Sequence, residues 1–192
     1  SSVKFTGARN LNVSADNGEV YGIQSINSSV SGAAQSLTVS ANSSEYVGQG
    51  IYAWNSSDVK LALSGDLSVE NKNGAVEGIR ADNSSVTFTG VKAMTVSGDN
   101  SGNSVEESGI VANSSTVSGD LTSLTVMASG GNARARGIYA SNSDVKLALS
   151  GDLTVEGRSG VAEGIIASTN SDVKFTGVKA MSVSSGSGGA YG

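Results

Sequence analysis

The chain of 192 residues contains no cysteine, no histidine and no proline. Without cysteine, disulfides and thiolate chemistry are excluded, and without histidine the commonest general base and metal ligand are missing. Proline cannot donate a hydrogen bond to a sheet ladder, so a chain built almost wholly of strands has reason to avoid it. These absences favour a non-enzymatic protein, and no cofactor or metal is expected.

Charge and long apolar runs are also limited. The formal net charge is −5, and the 12 basic residues are scattered along the chain, so a nucleic-acid partner is not expected. No stretch of 18 apolar residues occurs, which argues against membrane insertion of this segment. Aromatic residues make up only 5% of the chain, but apolar residues recur at strand-like spacing, which argues against disorder.

Glycine recurs at a nearly constant interval. Seven glycines stand 28, 28, 31, 28, 27 and 28 residues apart, at Gly22, Gly50, Gly78, Gly109, Gly137, Gly164 and Gly192. Five of them open a Gly-Ile-x-Ala tract, as at residues 50–53 and 137–140. A fixed period of this size predicts a stacked array in which each repeat is one structural unit. The longer interval places extra residues in the turn at 98–102, where such an array tolerates insertions.

Each repeat contains three short segments in which apolar and polar residues alternate, as at residues 3–6, 11–13 and 50–53. Period two is the strand signature. We therefore predict an all-β fold, a right-handed parallel β-helix (β-solenoid) of about seven coils of about 28 residues, with three strands per coil. A leucine-rich repeat would need helix-forming spacers, and a β-sandwich would not explain why every third strand is the same.

A longer repeat is superimposed on this period. Residues 58–67 are identical to residues 144–153, and residues 88–94 are identical to residues 175–181. The coils thus come in threes, in super-repeats of about 86 residues. We interpret residues 1–192 as a single array and expect it to be a fragment of a longer one.

An asparagine follows the third strand of each of the first six coils. Its side chain could bond to its equivalents above and below, satisfying turn groups that would otherwise be unpaired. The predicted structural ladder consists of Asn27, Asn55, Asn83, Asn113, Asn142 and Asn170.

Aromatic residues cluster around the third strand and are expected to point outward. A contact face is predicted from Tyr52, Trp54, Arg80 and Tyr139, because tyrosine and tryptophan on a flat polar face stack on sugars or partner proteins. Isolated exposed aromatics are also ordinary, and this alternative stays open.

Carboxylates do not suggest a catalytic pair. Asp58 and Asp66 recur at equivalent places as Asp144 and Asp152, whereas a catalytic pair is needed once. We read them as turn residues that keep the array soluble, and expect no catalytic residues. Glu106 and Glu107 form an acidic spot expected in the longest turn.

The Gly/Ser/Thr/Asn-rich coils, their Val/Leu/Ile columns and imperfect repeats such as Val-Lys-Phe-Thr-Gly resemble the passenger regions of bacterial autotransporter adhesins and related β-helical surface proteins. The resemblance implies a structural or adhesive section of an extracellular filament at the bacterial cell surface. Its partners would be other copies of itself, lateral or end-to-end, and host or matrix glycans. A polysaccharide-active β-helix enzyme and a carbohydrate- or ice-binding module remain alternatives.

Overall fold

The computed structural model describes residues 1–99, 106–129 and 133–192. Residues 100–102 of the predicted insertion lie outside the described residues. The described part of the chain contains seventeen β-strands, numbered here in chain order, and they form two sheets. Sheet A comprises β1 (Ser2–Asp16), β3 (Ser29–Asn42), β5 (Asp58–Leu63), β6 (Leu67–Asn71), β8 (Ser85–Asp99), β10 (Thr116–Ser129), β12 (Asp144–Leu149), β13 (Asp152–Gly157), β15 (Asp172–Thr176) and β16 (Ala180–Ser185). Sheet B comprises β2 (Val20–Ile26), β4 (Gly48–Trp54), β7 (Val76–Asp82), β9 (Glu106–Asn113), β11 (Arg134–Ser141), β14 (Val161–Ser168) and β17 (Ala190–Tyr191).

Each strand pairs in parallel with its equivalent one coil further along the chain. In the second segment of each coil, Val13, Val39, Val69, Val96, Val126, Val155 and Val183 lie in one column. The spacing between such neighbours is about 4.8 Å, the ordinary separation of paired strands. The structure therefore confirms the predicted all-β parallel solenoid of about seven coils, while its right-handed sense stays a prediction.

The three predicted segments of a coil are shared unequally between the sheets. The first two lie in sheet A, where they are separate strands in the third, sixth and seventh coils. In the other four coils they merge into one long strand (β1, β3, β8 or β10), and the ladder shifts register near Phe5 and again near Gly119. The third segment forms sheet B, so each coil is a flattened loop with its core between two sheets.

The recurrent glycine allows close approach inside the core. A Cβ atom on Gly109 would lie 2.6 Å from the carbonyl oxygen of Gly137 in the next coil and 2.9 Å from Cγ2 of Val126 in sheet A. Real Cβ atoms do not come this close to backbone, so any larger residue would push the sheets apart. Because the same carbonyl contact occurs at Gly22, Gly50, Gly78, Gly109 and Gly137, glycine returns with the coil period.

The super-repeat of three coils has a separate packing cause. One column of sheet A reads Phe5, Gly32, Leu61, Phe88, Gly119, Leu147 and Phe175. A Cβ atom on Gly119 would overlap the ring of Phe88, and one on Gly32 would overlap the ring of Phe5. The rings of Phe5 and Phe88 thus occupy the space that a side chain of the following coil would need, which requires glycine in that coil.

Candidate functional site

The outer face of sheet B carries the predicted contact residues. By the outer face of sheet B we mean the outward-pointing side chains of β2, β4, β7, β9, β11 and β14. Two neighbouring columns form its centre: Tyr21, Gln49, Glu77, Ser108, Arg136 and Glu163 in one, and Gln24, Tyr52, Arg80, Val111, Tyr139 and Ile166 in the other.

The first two coils place aromatic rings together on this face. The rings of Tyr21 and Tyr52 are stacked, with centroids 5.6 Å apart and planes inclined by 18°. Tyr46, in the turn before β4, is 40% exposed and lines a cleft of about 210 Å³ with both of them. Trp54 (46% exposed) pairs in register with Ile26 (41% exposed) at the end of the same strands. This half of the face is rich in accessible aromatic surface.

Arg80 is held in this region by two carboxylates. Its guanidinium lies 2.9 Å from Glu77 and 2.6 Å from Asp82, and the side-chain amide of Gln49 donates to Glu77. Burial alone would lower the pKa of Arg80, but these two carboxylates outweigh it and raise the pKa above its ordinary value. The charge of Arg80 is therefore largely matched within the fold.

The later coils carry a charged lattice instead. Arg136 contacts Glu106 of the preceding coil at 2.6 Å and Glu163 of the following coil at 3.0 Å. Its guanidinium carbon also lies 5.2 Å from the ring centroid of Tyr139, in the range of a cation–π contact. Tyr139 is thus engaged by its own coil, and this lattice joins three coils electrostatically.

The structure brings three of the four predicted contact residues together. Tyr52 and Arg80 are direct neighbours in one column, and Trp54 lies two residues further along the strand of Tyr52. Tyr139 belongs to the charged lattice, and the buried Val111 separates it from Arg80 in the column. Sequence periodicity identified the face, but it did not identify the cleft, to which Tyr21, Tyr46 and Gln49 contribute.

The predicted ladder asparagines lie along one edge of the solenoid, and five of them adopt left-handed backbone angles (Asn27, Asn55, Asn83, Asn142 and Asn170). In the fourth coil the left-handed residue is Ser114, with a φ of 49°, and Asn113 ends the preceding strand. Among the described residues, Asn113 donates to Asp82 at 2.7 Å and Asn142 donates to Ser114 at 3.2 Å. The side chains of these two asparagines thus bond to aspartate and serine of the neighbouring coil.

Serine hydroxyls join consecutive coils at this edge, a feature that the sequence analysis missed. The backbone N–H of Ser84 donates to the hydroxyl of Ser115 at 3.0 Å, and that of Ser115 donates to the hydroxyl of Ser143 at 2.9 Å. The same pattern links the serines of five successive coil-to-coil steps, at Ser28, Ser57, Ser84, Ser115, Ser143 and Ser171. The signal in the sequence was the serine that recurs once per coil at this edge, directly after the last left-handed residue of the turn.

The carboxylates are spread along the chain, and all except Glu77 and Glu107 are at least partly exposed. Asp58 and Asp144 pair with the lysines two residues on, Lys60 and Lys146. No group of three or more Asp or Glu side chains in the described residues could hold a metal ion.

The expectation that Glu106 and Glu107 lie in a turn is wrong, because both belong to β9, and Glu107 points into the core with no exposed surface. Successive residues of a strand point to opposite faces, so Glu107 points inward where Glu106 points outward. In the sequence, the adjacent insertion concealed that a strand begins at these residues.

Comparison with known proteins gives no relative: no protein-family model, curated protein or solved structure matches this chain. In the part of the chain that the structure describes, no helix has the length and apolar character needed to cross a membrane.

Proposed function

We propose that this chain is a non-catalytic structural and adhesive section of a bacterial extracellular surface protein or filament. The observation that carries the proposal is the continuity of the core columns: residues at one position contact their equivalents through seven coils. Each coil is held by its neighbours through backbone ladders on both sheets, which is the construction of a rigid rod. A rod of seven such coils extends roughly 33 Å along its axis.

The extracellular placement is supported by the resemblance of the coils to autotransporter passengers. Repeated weak contacts along a rod add up through avidity, so a ligand site on one face suffices for adhesion when many copies are displayed. The partners proposed are other copies of the chain and host or matrix glycans.

The test is a bead assay combined with an activity assay. Beads coated with the purified chain should cluster or bind a matrix surface, whereas beads coated with heat-unfolded chain should not.

Antibodies against the chain should label intact cells of the source organism. Labelling only after permeabilisation would contradict the surface placement, and turnover of a polysaccharide by the purified chain would replace the proposal with the enzyme alternative.

A carbohydrate-binding module is the second candidate, because aromatic rings of the outer face of sheet B lie beside polar side chains. Binding of neutral sugars would favour it.

A further inference from the structure

The cleft on the outer face of sheet B combines aromatic rings with carboxylates. Its lining includes Glu19, Tyr21, Glu45, Tyr46, Tyr52 and Arg80, and its volume is about 210 Å³. We call it the tyrosine cleft. Its residues come from the strands β2, β4 and β7 and the two turns before β2 and β4, so the stacking of coils assembles it.

The stacked rings of Tyr21 and Tyr52 remain neutral and electron-rich at physiological pH. Burial, followed by the hydrogen bond to Glu19, raises the pKa of Tyr21 to about 12. Burial also raises the pKa of Tyr52. Neutral phenol rings present a negative π face, which attracts a cation placed within about 6 Å of the ring centre.

The charge around the rings is negative. Neither Glu19 nor Glu45 forms a salt bridge with any residue that the structure describes. Arg80 brings the positive charge, but Glu77 and Asp82 both contact it. Glu77 and Asp82 thus match the charge of Arg80, and Glu19 and Glu45 in the lining leave the cleft with an excess of negative charge.

A small cation matches both the neutral aromatic rings and the excess negative charge of the cleft. We propose that the tyrosine cleft binds an organic monocation, an alkylammonium group such as a lysine side chain or a free quaternary ammonium compound. The cation lies against Tyr46 and the Tyr21–Tyr52 stack, with its charge beside Glu19 and Glu45. A neutral sugar could donate hydrogen bonds to the two carboxylates but would gain no attraction between opposite charges. The mutual stacking of Tyr21 and Tyr52 also covers one face of each ring, which limits stacking on a sugar.

This inference goes beyond the proposed function, because it concerns the chemistry of one cleft and does not depend on the rod acting in adhesion. A failure of bead clustering leaves it intact, and a failure of cation binding leaves the structural role intact.

The test is a calorimetric titration of the full chain with four probes. Choline and its neutral isostere 3,3-dimethylbutan-1-ol differ chiefly in charge, N-acetyl-lysine amide represents a protein side chain, and methyl glucoside represents a sugar. We expect choline or the lysine amide to bind about tenfold or more tightly than the neutral isostere, since a desolvated cation–π contact contributes up to about 2 kcal/mol. The tighter of the two cations identifies the source of the ligand, and binding should weaken with salt.

Variants locate the binding. Tyr46→Ala and Glu45→Gln should each weaken cation binding by about fivefold or more, whereas Tyr139→Ala, in the charged lattice three coils from Tyr52, should leave it unchanged. Circular dichroism and unfolding midpoints check that the variants are folded. The proposal is overturned by absence of cation binding, by equal or tighter binding of the neutral isostere or methyl glucoside, or by an equal effect of Tyr139→Ala.

Discussion

Glu107 occupies an inward position that other coils give to small or apolar residues. Its column in sheet B contains Val20, Gly48, Val76, Ala135 and Ala162. The glutamate fits because Gly98 opposes it: a Cβ atom on Gly98 would come 2.5 Å from Cγ of Glu107. Neither carboxylate oxygen has a hydrogen-bond partner among the described residues. An ionised carboxylate there would lose its hydration without compensation.

The protonation of Glu107 couples the stability of the fold to pH. Burial is the largest cause that raises its pKa, from 4.5 to about 8, and the charges of Glu106 and Asp99 add to it. Above about pH 4.5 the unfolded chain releases this proton, while the folded chain keeps it until about pH 8. The unfolded state therefore binds fewer protons in this window, and the unfolding free energy falls as pH rises through it.

We expect Glu107→Gln to remove this dependence. The variant should unfold at a higher urea concentration than the natural chain at pH 8, and the difference should shrink towards pH 5. Glu70→Gln is the matched control, since Glu70 is an exposed carboxylate on sheet A, and it should leave the pH profile unaltered. An unchanged slope in Glu107→Gln between pH 5 and pH 8 would contradict the buried, protonated state.

At the scale of the element, the turn between sheet B and the next coil depends on its serines. The Ser115 hydroxyl accepts from the backbone of Ser84 at 3.0 Å and donates to the carbonyl of Asn113 at 2.6 Å. Ser115 is buried, so water does not replace these bonds easily. Five of the six asparagines of this edge contribute differently, because they supply the left-handed backbone angles that this residue type tolerates.

Ser115→Ala should destabilise the protein by about 1–3 kcal/mol, the cost of leaving a buried N–H without an acceptor. Asn142→Gly removes an exposed side-chain bond and keeps the left-handed conformation accessible, so its effect should stay within about 0.5 kcal/mol. Urea unfolding of both variants measures the two values. A larger loss of unfolding free energy for Asn142→Gly than for Ser115→Ala would show that the asparagine side chains stabilise this edge more than the serine hydroxyls do.

At the scale of the whole molecule, the order of the coils is set by the Phe–Gly–Leu column. Phe88 is buried between Leu61 of the coil before and Gly119 of the coil after. A coil with a larger residue at this position cannot follow a phenylalanine coil without displacing the ring. The three-coil period therefore reflects which coils can pack next to one another, in addition to any history of duplication.

Gly119→Ala should cost about 2 kcal/mol, because overpacking a filled core forces the ring of Phe88 from its place. In the background of Phe88→Leu, the same substitution should cost much less, and a double-mutant cycle should give a coupling energy above about 0.5 kcal/mol. Gly18→Ala is the control, since no atom lies within 4 Å of a Cβ atom added there. Additive effects of the two substitutions would show that the ring and the glycine are not coupled.

Several features of the candidate site could be read from the sequence and others could not. Period two and the coil period place Tyr52, Trp54 and Arg80 on one outward face, because residues one coil apart are neighbours in a parallel solenoid. They do not reveal that Tyr46, in a turn, lines one cleft with Tyr21 and Tyr52, since turn side chains follow no periodicity. The inward direction of Glu107 was hidden for a similar reason, because the insertion before it obscures where the strand begins.

The sequence by itself determined the fold, through glycines that return every coil and apolar residues that pile into columns. That information is local and periodic, and stacking converts it directly into a solenoid. Only the tertiary structure decided that two predicted strands share a sheet, that serine hydroxyls connect the coils, and that tyrosines and carboxylates enclose one cleft. These features depend on bends, on rotamers and on packing between coils, which the spacing of residues along the chain does not encode.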